Sequence, residues 1–447
     1  MVKYRVSARV KFHAVGQGLF CTGVLGNFDR YERQNCFTWV YDCGTNSARR
    51  FLDQAIREFE HKVTIGNTRP VIDLLAVSHF DHDHISGLVM LLSRFHIREL
   101  VLPYVPLWQR LAIVFMADAA YRSQLTQFLV NPVAFVAGLR DVSVERILFV
   151  RGGGETPELP DFDDGDEPDF PKPDANQDLP EGGRYRWPVT VHVTDEAPDG
   201  EGDVVNSNDS QKAARANIRV QYMQPGTAIT VARVWEFVPY NDSELAHIAT
   251  SRFRSEVAKL RNKLLLAPNN LQRQDILDHL KEKYKAFGAS GFRQNLISLF
   301  MYAGPLVGVS SVPWGPVFVA KRIPSIESLH RVIYHPQMPV AVLYTGDGFL
   351  NTAQRLKKLQ TYLGPARNKN IVLLQVMHHG SRYNWFDGVA EEIKPYISVF
   401  SSDPRRKKSH PHSEVVKDFL RYGPVQVDTE TSLFARLDFE WGVEKRS

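Results

Sequence analysis

Three histidines and two aspartates fall within the six residues His79 to His84, in the run Ser78-His-Phe-Asp-His-Asp-His-Ile-Ser-Gly87. Hard carboxylate oxygens and imidazole nitrogens packed this closely make a donor set for divalent metal ions. The apolar run Val71-Ile-Asp-Leu-Leu-Ala-Val77 stands directly before it and reads as a buried strand. A tight loop leaving a rigid strand aims His79 and Asp81 at one ion and Asp83 and His84 at a neighbour. The alternative is a solvated polar loop, but such loops rarely set alternating His and Asp between an apolar strand and a glycine turn. A second strand, Pro339 to Tyr344, ends in Thr345-Gly346-Asp347-Gly348. A carboxylate at such a strand end bridges two cations about 3.5–4 Å apart, as two-metal hydrolases require.

The order of these residues resembles the metallo-β-lactamase superfamily. His79-x-Asp81-x-Asp83-His84 with Ile85-Ser86-Gly87 is similar to its signature loop, with Asp81 where most members carry His. That variant resembles the nuclease domain of the competence DNA-uptake protein ComEC and its soluble relatives. His82 falls where the family is variable and is not counted as a ligand. Val15-Gly-Gln-Gly18 followed by Asp42-Cys-Gly44 resembles the opening of the ComEC-type domain, and the resemblance implies that Asp42 braces the metal loop by hydrogen bonding. Thr345-Gly346-Asp347 resembles the segment whose Asp bridges the metals. His378-His379-Gly380-Ser381 resembles another family segment, of which one His is implied to ligate metal. The assignment favours His379 and leaves His378 to contact substrate or pass a proton, with the reverse also open. Asn295, in Arg293 to Ser298, resembles a position where other members supply a further His; it supports the site or is simply a strand-entry Asn. Ser409-His-Pro-His412 resembles a segment at the active-site rim. His412 is read as a catalytic acid or phosphate contact, or as a His without chemistry before a helix that Ser413 caps. Ser381, Arg382 and the run Arg405-Arg406-Lys407-Lys408 are candidate substrate contacts, the basic ones gripping phosphates or forming a solvated loop.

The fold implied is an α/β (α+β) sandwich of the metallo-β-lactamase αββα type, with a large helical and partly disordered insertion. Its core occupies 1–104 and 291–447, and 105–290 is the insertion. Strands are expected at 4–24 with a glycine turn at Val15 to Phe20, at Phe37 to Tyr41, Leu100 to Tyr104, Ala228 to Pro239, Asn370 to Met377 and Tyr396 to Ser401. Helices are expected at Ser47 to His61 with Ser47 as cap, at Leu88 to Phe95, and over the apolar Trp108 to Leu139. Asp242 to Phe287 reads as two helices split near Pro268-Asn269-Asn270. Gly152 to Gly183 is rich in Pro, Gly and Asp and nearly lacks aliphatic residues, which reads as a disordered insertion or an acidic flap over a basic groove.

The chain has net charge +4, yet 151–183 holds 11 acidic residues against Arg151 and Lys172, a local −9 that leaves the rest at +13. A basic body suits a polyanionic substrate. Cys21, Cys36 and Cys43 have no metal-type spacing, so a reducing, cytoplasmic setting without disulfides is expected. The first residues lack the apolar core of a signal peptide. Gln294 to Ala320 carries no charged side chain over 27 residues, but its three prolines and three glycines would break a spanning helix, so two buried strands and no membrane contact are expected.

Together these features predict two divalent ions, zinc or manganese, with Asp81 hardening the site towards manganese. The expected activity is that of a phosphodiesterase, foremost a DNA or RNA nuclease, with Asp83 orienting the attacking water. A hydrolase of a small phosphodiester, such as a cyclic nucleotide or a lipid head group, is the second reading. A metal-stabilised binding or regulatory module, docking a protein partner through 105–290, is the third.

Overall fold

The strand Val71–Ala76 is buried along its whole length: Leu74 and Ala76 belong to one apolar cluster and Leu75 to another. A strand with two apolar faces must be covered on both sides. The computed structural model shows how, over residues 4–27, 34–105, 110, 127–128, 131–153, 156–157, 168–171, 183–196, 213, 216–242, 251–267, 269–286, 298–306, 310–313, 317–323, 326–333, 339–406 and 410–442.

Among the described residues two mixed sheets form an α/β sandwich, and the strands are counted over those residues. The first has 12 strands. Its antiparallel part joins Ser432–Gly442, Tyr4–Phe12, Phe20–Asn27 and Cys36–Cys43. Its parallel part continues from Cys36–Cys43 through Val71–Ala76, His96–Pro103 and Ser143–Val150 to Arg219–Met223. The second has eight strands, and Ala341–Tyr344, Ile371–Gln375, Ile397–Ser401 and Pro424–Val427 run parallel within it. Phe300–Pro305 and Trp235–Tyr240 extend it antiparallel. Between the sheets lies an aromatic core in which Tyr41 stacks on Tyr344 at 4.6 Å and Trp39 meets Trp235 at 5.9 Å. Such pairs add about 0.5–1.5 kcal/mol each beyond burial of area.

Helices close the outer faces. Arg49–Val63 buries Leu52, Ala55, Ile56, Phe59 and Val63, the spacing of one apolar helix stripe, against the first sheet. Ala353–Lys369 does the same on the second with Leu356, Leu359 and Leu363. The expected Ser47 cap is not made: Ala48 precedes the helix without a side-chain cap, and Ser47 Oγ instead accepts the Gln17 amide at 3.0 Å. That bond ties the helix entry to the glycine turn at 15–18, which itself presses on the His–Asp loop through Leu19 N to Asp83 O at 3.1 Å. Gly44 explains its own residue type, since a Cβ there would sit 2.4 Å from the Asp83 carbonyl carbon.

Residues 105–290 contribute to both sheets as well as carrying helices. Ser143–Val150, Arg219–Met223 and Val193–Thr194 widen the first sheet, and Val189–Thr190, Ile229–Val231 and Trp235–Tyr240 widen the second. The two helices expected near 242–287 are Ser251–Leu266 and Asn270–Ala286, and Pro132–Gly138 is the described helix within 108–139. Most of the acidic stretch 152–183 lies outside the described residues. In the charge-free segment, strands run at Phe300–Pro305, Ser310–Pro313 and Val317–Ile323. No helix among the described residues is long and apolar enough to cross a membrane. Cys21, Cys36 and Cys43 are buried and form no disulfide among the described residues.

Candidate metal centre

In parallel sheets the loops that leave the carboxyl ends of strands collect at one edge, where ligands bind. Three such loops meet here: Ser78 to His84 after Val71–Ala76, Thr345 to Asp347 after Ala341–Tyr344, and Met377–Gly380 after Ile371–Gln375. His378 N donates to Gly346 O at 2.9 Å, clasping the second and third loops, and Leu299 N donates to Ser78 O at 2.7 Å, tying the first to the chain just before Phe300–Pro305.

Asp347 lies at the centre of the cluster, and its side chain is 2% exposed. Its Oδ1 faces His84 Nε2 at 3.0 Å and His379 Nε2 at 3.5 Å, and His379 Nε2 stands 3.4 Å from Asp83 Oδ2. Its Oδ2 faces His378 Nε2 at 3.4 Å and His79 Nε2 at 3.7 Å, with Asp81 Oδ2 3.8 Å from the same His79 nitrogen. Donor atoms held about 2.0–2.2 Å from one ion stand about 2.8–3.6 Å apart at octahedral to tetrahedral angles. The His84–Asp347, His379–Asp347 and His379–Asp83 contacts meet that spacing, and Asp83, His84, Asp347 and His379, whose donor atoms all lie within 4.8 Å of one another, could hold a metal ion. The group around Oδ2 is slightly wider.

The residues fit a metal for a second reason. Nε2 of His79, His84 and His379 is buried and makes no hydrogen bond in any of the three, an arrangement that leaves polar atoms unsatisfied unless a cation takes them. The opposite ring nitrogens are all engaged. His84 Nδ1 meets Asp42 Oδ2 at 2.7 Å, His79 Nδ1 meets Ser78 Oγ at 2.9 Å, and His379 Nδ1 meets the Ser401 carbonyl at 2.5 Å. Such partners set tautomer and ring direction and leave Nε2 as the inward donor. Asp42 holds the start of the His–Asp loop: Oδ1 accepts the Ser78 amide and Oδ2 the Ser78 hydroxyl, both at 2.6 Å.

Backbone strain accompanies the site. Asp42, His378 and His379 have φ of +56°, +45° and +57°, a left-handed region costly for side-chain-bearing residues. Two consecutive left-handed residues turn both imidazoles towards Asp347. Gly346, at φ +52°, has no room for a Cβ, which would meet Ser298 Oγ at 2.4 Å. The Asp347 turn is further held by Gln375, whose Oε1 accepts the amides of Thr345 at 2.8 Å and Gly346 at 2.7 Å, and by Ser298 Oγ, which accepts the Asp347 amide at 3.1 Å.

The charges are interlocked. Burial pushes Asp81 up to about 7, helped by the negative charges of Asp83 and Asp347. Burial also lowers His79 to about 3, with His84 adding to the effect. Burial alone would lower His84 and His379, but the carboxylates facing them hold both above the ordinary histidine value. Asp347 stays well below the usual carboxylate range despite burial, because His378, His84 and His379 surround it. Protons on Asp81, His84 and His379 must therefore leave before a cation binds. Apparent metal affinity thus falls as pH drops through the raised values of these groups, by about tenfold per unit for each displaced proton. Titration calorimetry of zinc or manganese in two buffers of different ionisation enthalpy should show net proton release; binding that is independent of pH and buffer would contradict this.

The other expected site residues sit as follows. His378 lies beside Asp347 at the opening, its Nδ1 2.8 Å from Asn384 Oδ1. His412 is at the rim, where its Nδ1 accepts the Arg382 amide at 3.3 Å; Ser413 is the first helical residue and makes no cap. Ser381 is buried, with Oγ accepting the Tyr383 amide at 3.3 Å. Arg382 pairs with Glu414 at 3.1 Å, Arg405 with Glu430 at 2.8 Å and Asp403 at 3.0 Å, and Arg406 donates to Asn46 O at 2.9 Å. His82 turns away to Asn46, 3.0 Å from its Oδ1. Asn295, Lys407 and Lys408 lie outside the described residues. Ser78, Gln375, Asn384 and His410 were not singled out from sequence. His410 lies 5.4 Å from His378 and 6.5 Å from His379 between ring centroids, and the alternating His-Pro-His is the signal that could have flagged it. Compared with family models and with curated proteins, the chain matches none.

Proposed function

We propose that this chain is a dinuclear metal-dependent phosphodiesterase of the metallo-β-lactamase superfamily, ComEC-type, whose substrate is DNA or RNA. The observation that carries the reading is Asp347, set between two donor groups with one oxygen towards each. A pair of cations about 3.5–4 Å apart needs such a shared carboxylate. The sandwich, with ligand loops at strand ends and the ligand order His79, Asp81, Asp83, His84, Asp347, His379, supports the superfamily resemblance. The mixed donor set suits zinc, and Asp81 in place of an imidazole favours manganese as a rival. The charge of +13 outside the acidic stretch suits a polyanion.

Divalent ions, when bound, supply Lewis-acid polarisation of a phosphoryl oxygen and acidification of water. The chain's own residues do the positioning. Asp42, Ser78 and the Ser401 carbonyl hold three imidazoles with Nε2 inward. Asp83, with its side chain 14% exposed, reaches the opening and orients the attacking water. His378, 26% exposed and hydrogen-bonded to Asn384, is placed to contact the phosphate or hand a proton to the leaving oxygen.

The test is cleavage of labelled single- and double-stranded DNA and RNA with zinc, manganese or magnesium. Asp83→Ala should reduce turnover by about 10²–10⁴-fold while circular dichroism remains that of the wild type. Full activity in a folded Asp83→Ala protein would sink that role. No cutting of any polymer by metal-loaded wild type would sink the nuclease reading and favour a small phosphodiester.

A further inference from the structure

We infer that Tyr383, continued inward by His412 and His410, forms a ledge on which a nucleobase of a single-stranded polynucleotide stacks beside the metal cluster. The inference rests on the nuclease reading and adds what the site grips besides phosphate. Among the described residues the large apolar side chains left exposed are Leu266, Leu271, Tyr383 and Leu420. An isolated exposed apolar residue needs no explanation. Tyr383 differs from the other three in position: it is 67% exposed and lies four residues beyond His379, at the outer end of a row of rings that begins inside the cluster.

That row is continuous. His378, whose Nε2 is 3.4 Å from Asp347 Oδ2, has its ring 5.4 Å from that of His410. His410 is 4.8 Å from His412, and His412 is 6.3 Å from Tyr383, edge to face at 82°. The ledge is also held in place. His412 N donates to the Gly380 carbonyl at 3.0 Å, Arg382 N to His412 Nδ1 at 3.3 Å, and Tyr383 N to Ser381 Oγ at 3.3 Å. The two loops that carry the rings are thus clasped, and a base would meet a preformed surface at little ordering cost. Arg382, tethered by Glu414, keeps its guanidinium 5.9 Å from the Tyr383 ring centroid and adds a positive edge beside the stacking face.

Every base has a π face, so such a platform tolerates any sequence. A duplex keeps its bases stacked on one another, so the ledge favours single strands. A phosphodiester without a base finds nothing there.

The test uses the metal-loaded full chain and two fluorescein-labelled probes, an oligothymidylate and the same backbone built from tetrahydrofuran abasic units, with binding read by anisotropy and cutting followed in parallel. Wild type should bind the base-bearing probe about 5- to 150-fold more tightly than the abasic one. Tyr383→Ala, at an exposed position, should erase most of that gap while holding the wild-type metal content, and Tyr383→Phe should restore it. Equal binding of both probes by wild type, or a gap that persists in Tyr383→Ala, would overturn the ledge even if the chain cuts nucleic acid. A gap that depends on Tyr383 without any cutting would uphold the ledge and overturn the nuclease reading.

Discussion

Asp347→Ala is expected to lower metal affinity more than about 100-fold and to leave less than half the wild-type metal after dialysis. Loss of a residue that merely orients a ligand costs about 10–100-fold in affinity, and on the proposed reading Asp347 is itself a donor to both halves of the cluster. Its two oxygens face four imidazoles, at 3.0 and 3.5 Å on one side and 3.4 and 3.7 Å on the other. No other carboxylate among the described residues can replace it, because Asp83 serves the His379 side and Asp81 the His79 side. The fold should survive. Without the Asp347 charge, His84 and His379 lose the main influence that raises them, and the buried rings can stay neutral. Asp347→Asn keeps the volume and one oxygen, so its loss should be intermediate. Elemental analysis after dialysis, with phosphodiester turnover alongside, decides the matter. Wild-type metal content in Asp347→Ala would show that the cluster is not built around this carboxylate.

The residues of the cluster were legible because each sits at an abrupt end of an apolar run, where a strand stops and polar residues must do something. His79 to His84, Asp347 and His379 share that setting, whereas the role expected of Asp42 came from the resemblance of Val15 to Gly18 and Asp42 to Gly44 to the ComEC-type opening. Helix spans were legible from apolar spacing, as in Arg49–Val63. Three kinds of feature were not. Ser47 looks like a cap, but tertiary contact redirects its hydroxyl to the Gln17 amide. Ser143–Val150 carries ordinary strand residues, yet its place beside His96–Pro103 depends on pairing across a long connection that periodicity does not encode. Gln375 acts through amides supplied by another loop, so it has no local signature beyond being polar in unusual company.

Those unread contacts are also what bind 105–290 to the rest. Glu236, within that stretch, is wholly buried and pairs with Arg367 of the Ala353–Lys369 helix at 2.8 and 3.0 Å. Arg184, 1% exposed, reaches into the first sheet, donating to Thr38 Oγ1 at 3.1 Å, to the Val71 carbonyl at 2.9 Å and to the Cys36 carbonyl. A stretch that supplies strands to both sheets and buried charges to both halves is part of what positions the site.

Asp73→Ala should therefore be the most destabilising single change on the strand that carries the metal loop. Asp73 is 1% exposed and receives two guanidiniums, Arg98 at 2.5 Å and Arg184 at 3.1 Å, together with the Thr38 amide at 2.7 Å. Breaking a buried pair from one side costs about 3–5 kcal/mol, because the remaining charge keeps its desolvation penalty and loses its compensation. Here the change takes the facing carboxylate from two arginines, leaving Arg184 the acceptors of Thr38, Val71 and Cys36 and Arg98 the more distant Glu145 at 3.9 Å, and neither can become neutral as a histidine would. The expected loss is at least about 3–5 kcal/mol in urea unfolding of the metal-free protein, measured that way so that metal binding does not mask it. Asp73→Asn keeps acceptors for Thr38 but not the charge and should fall between. Metal affinity of the folded Asp73→Ala fraction should stay within about tenfold of wild type, below the span typical of lost ligand-orienting contacts, because no cluster atom contacts Asp73. A loss under about 1 kcal/mol would mean that Arg98 and Arg184 find other compensation, and the 105–290 segment would then be held to the first sheet mainly by strand pairing.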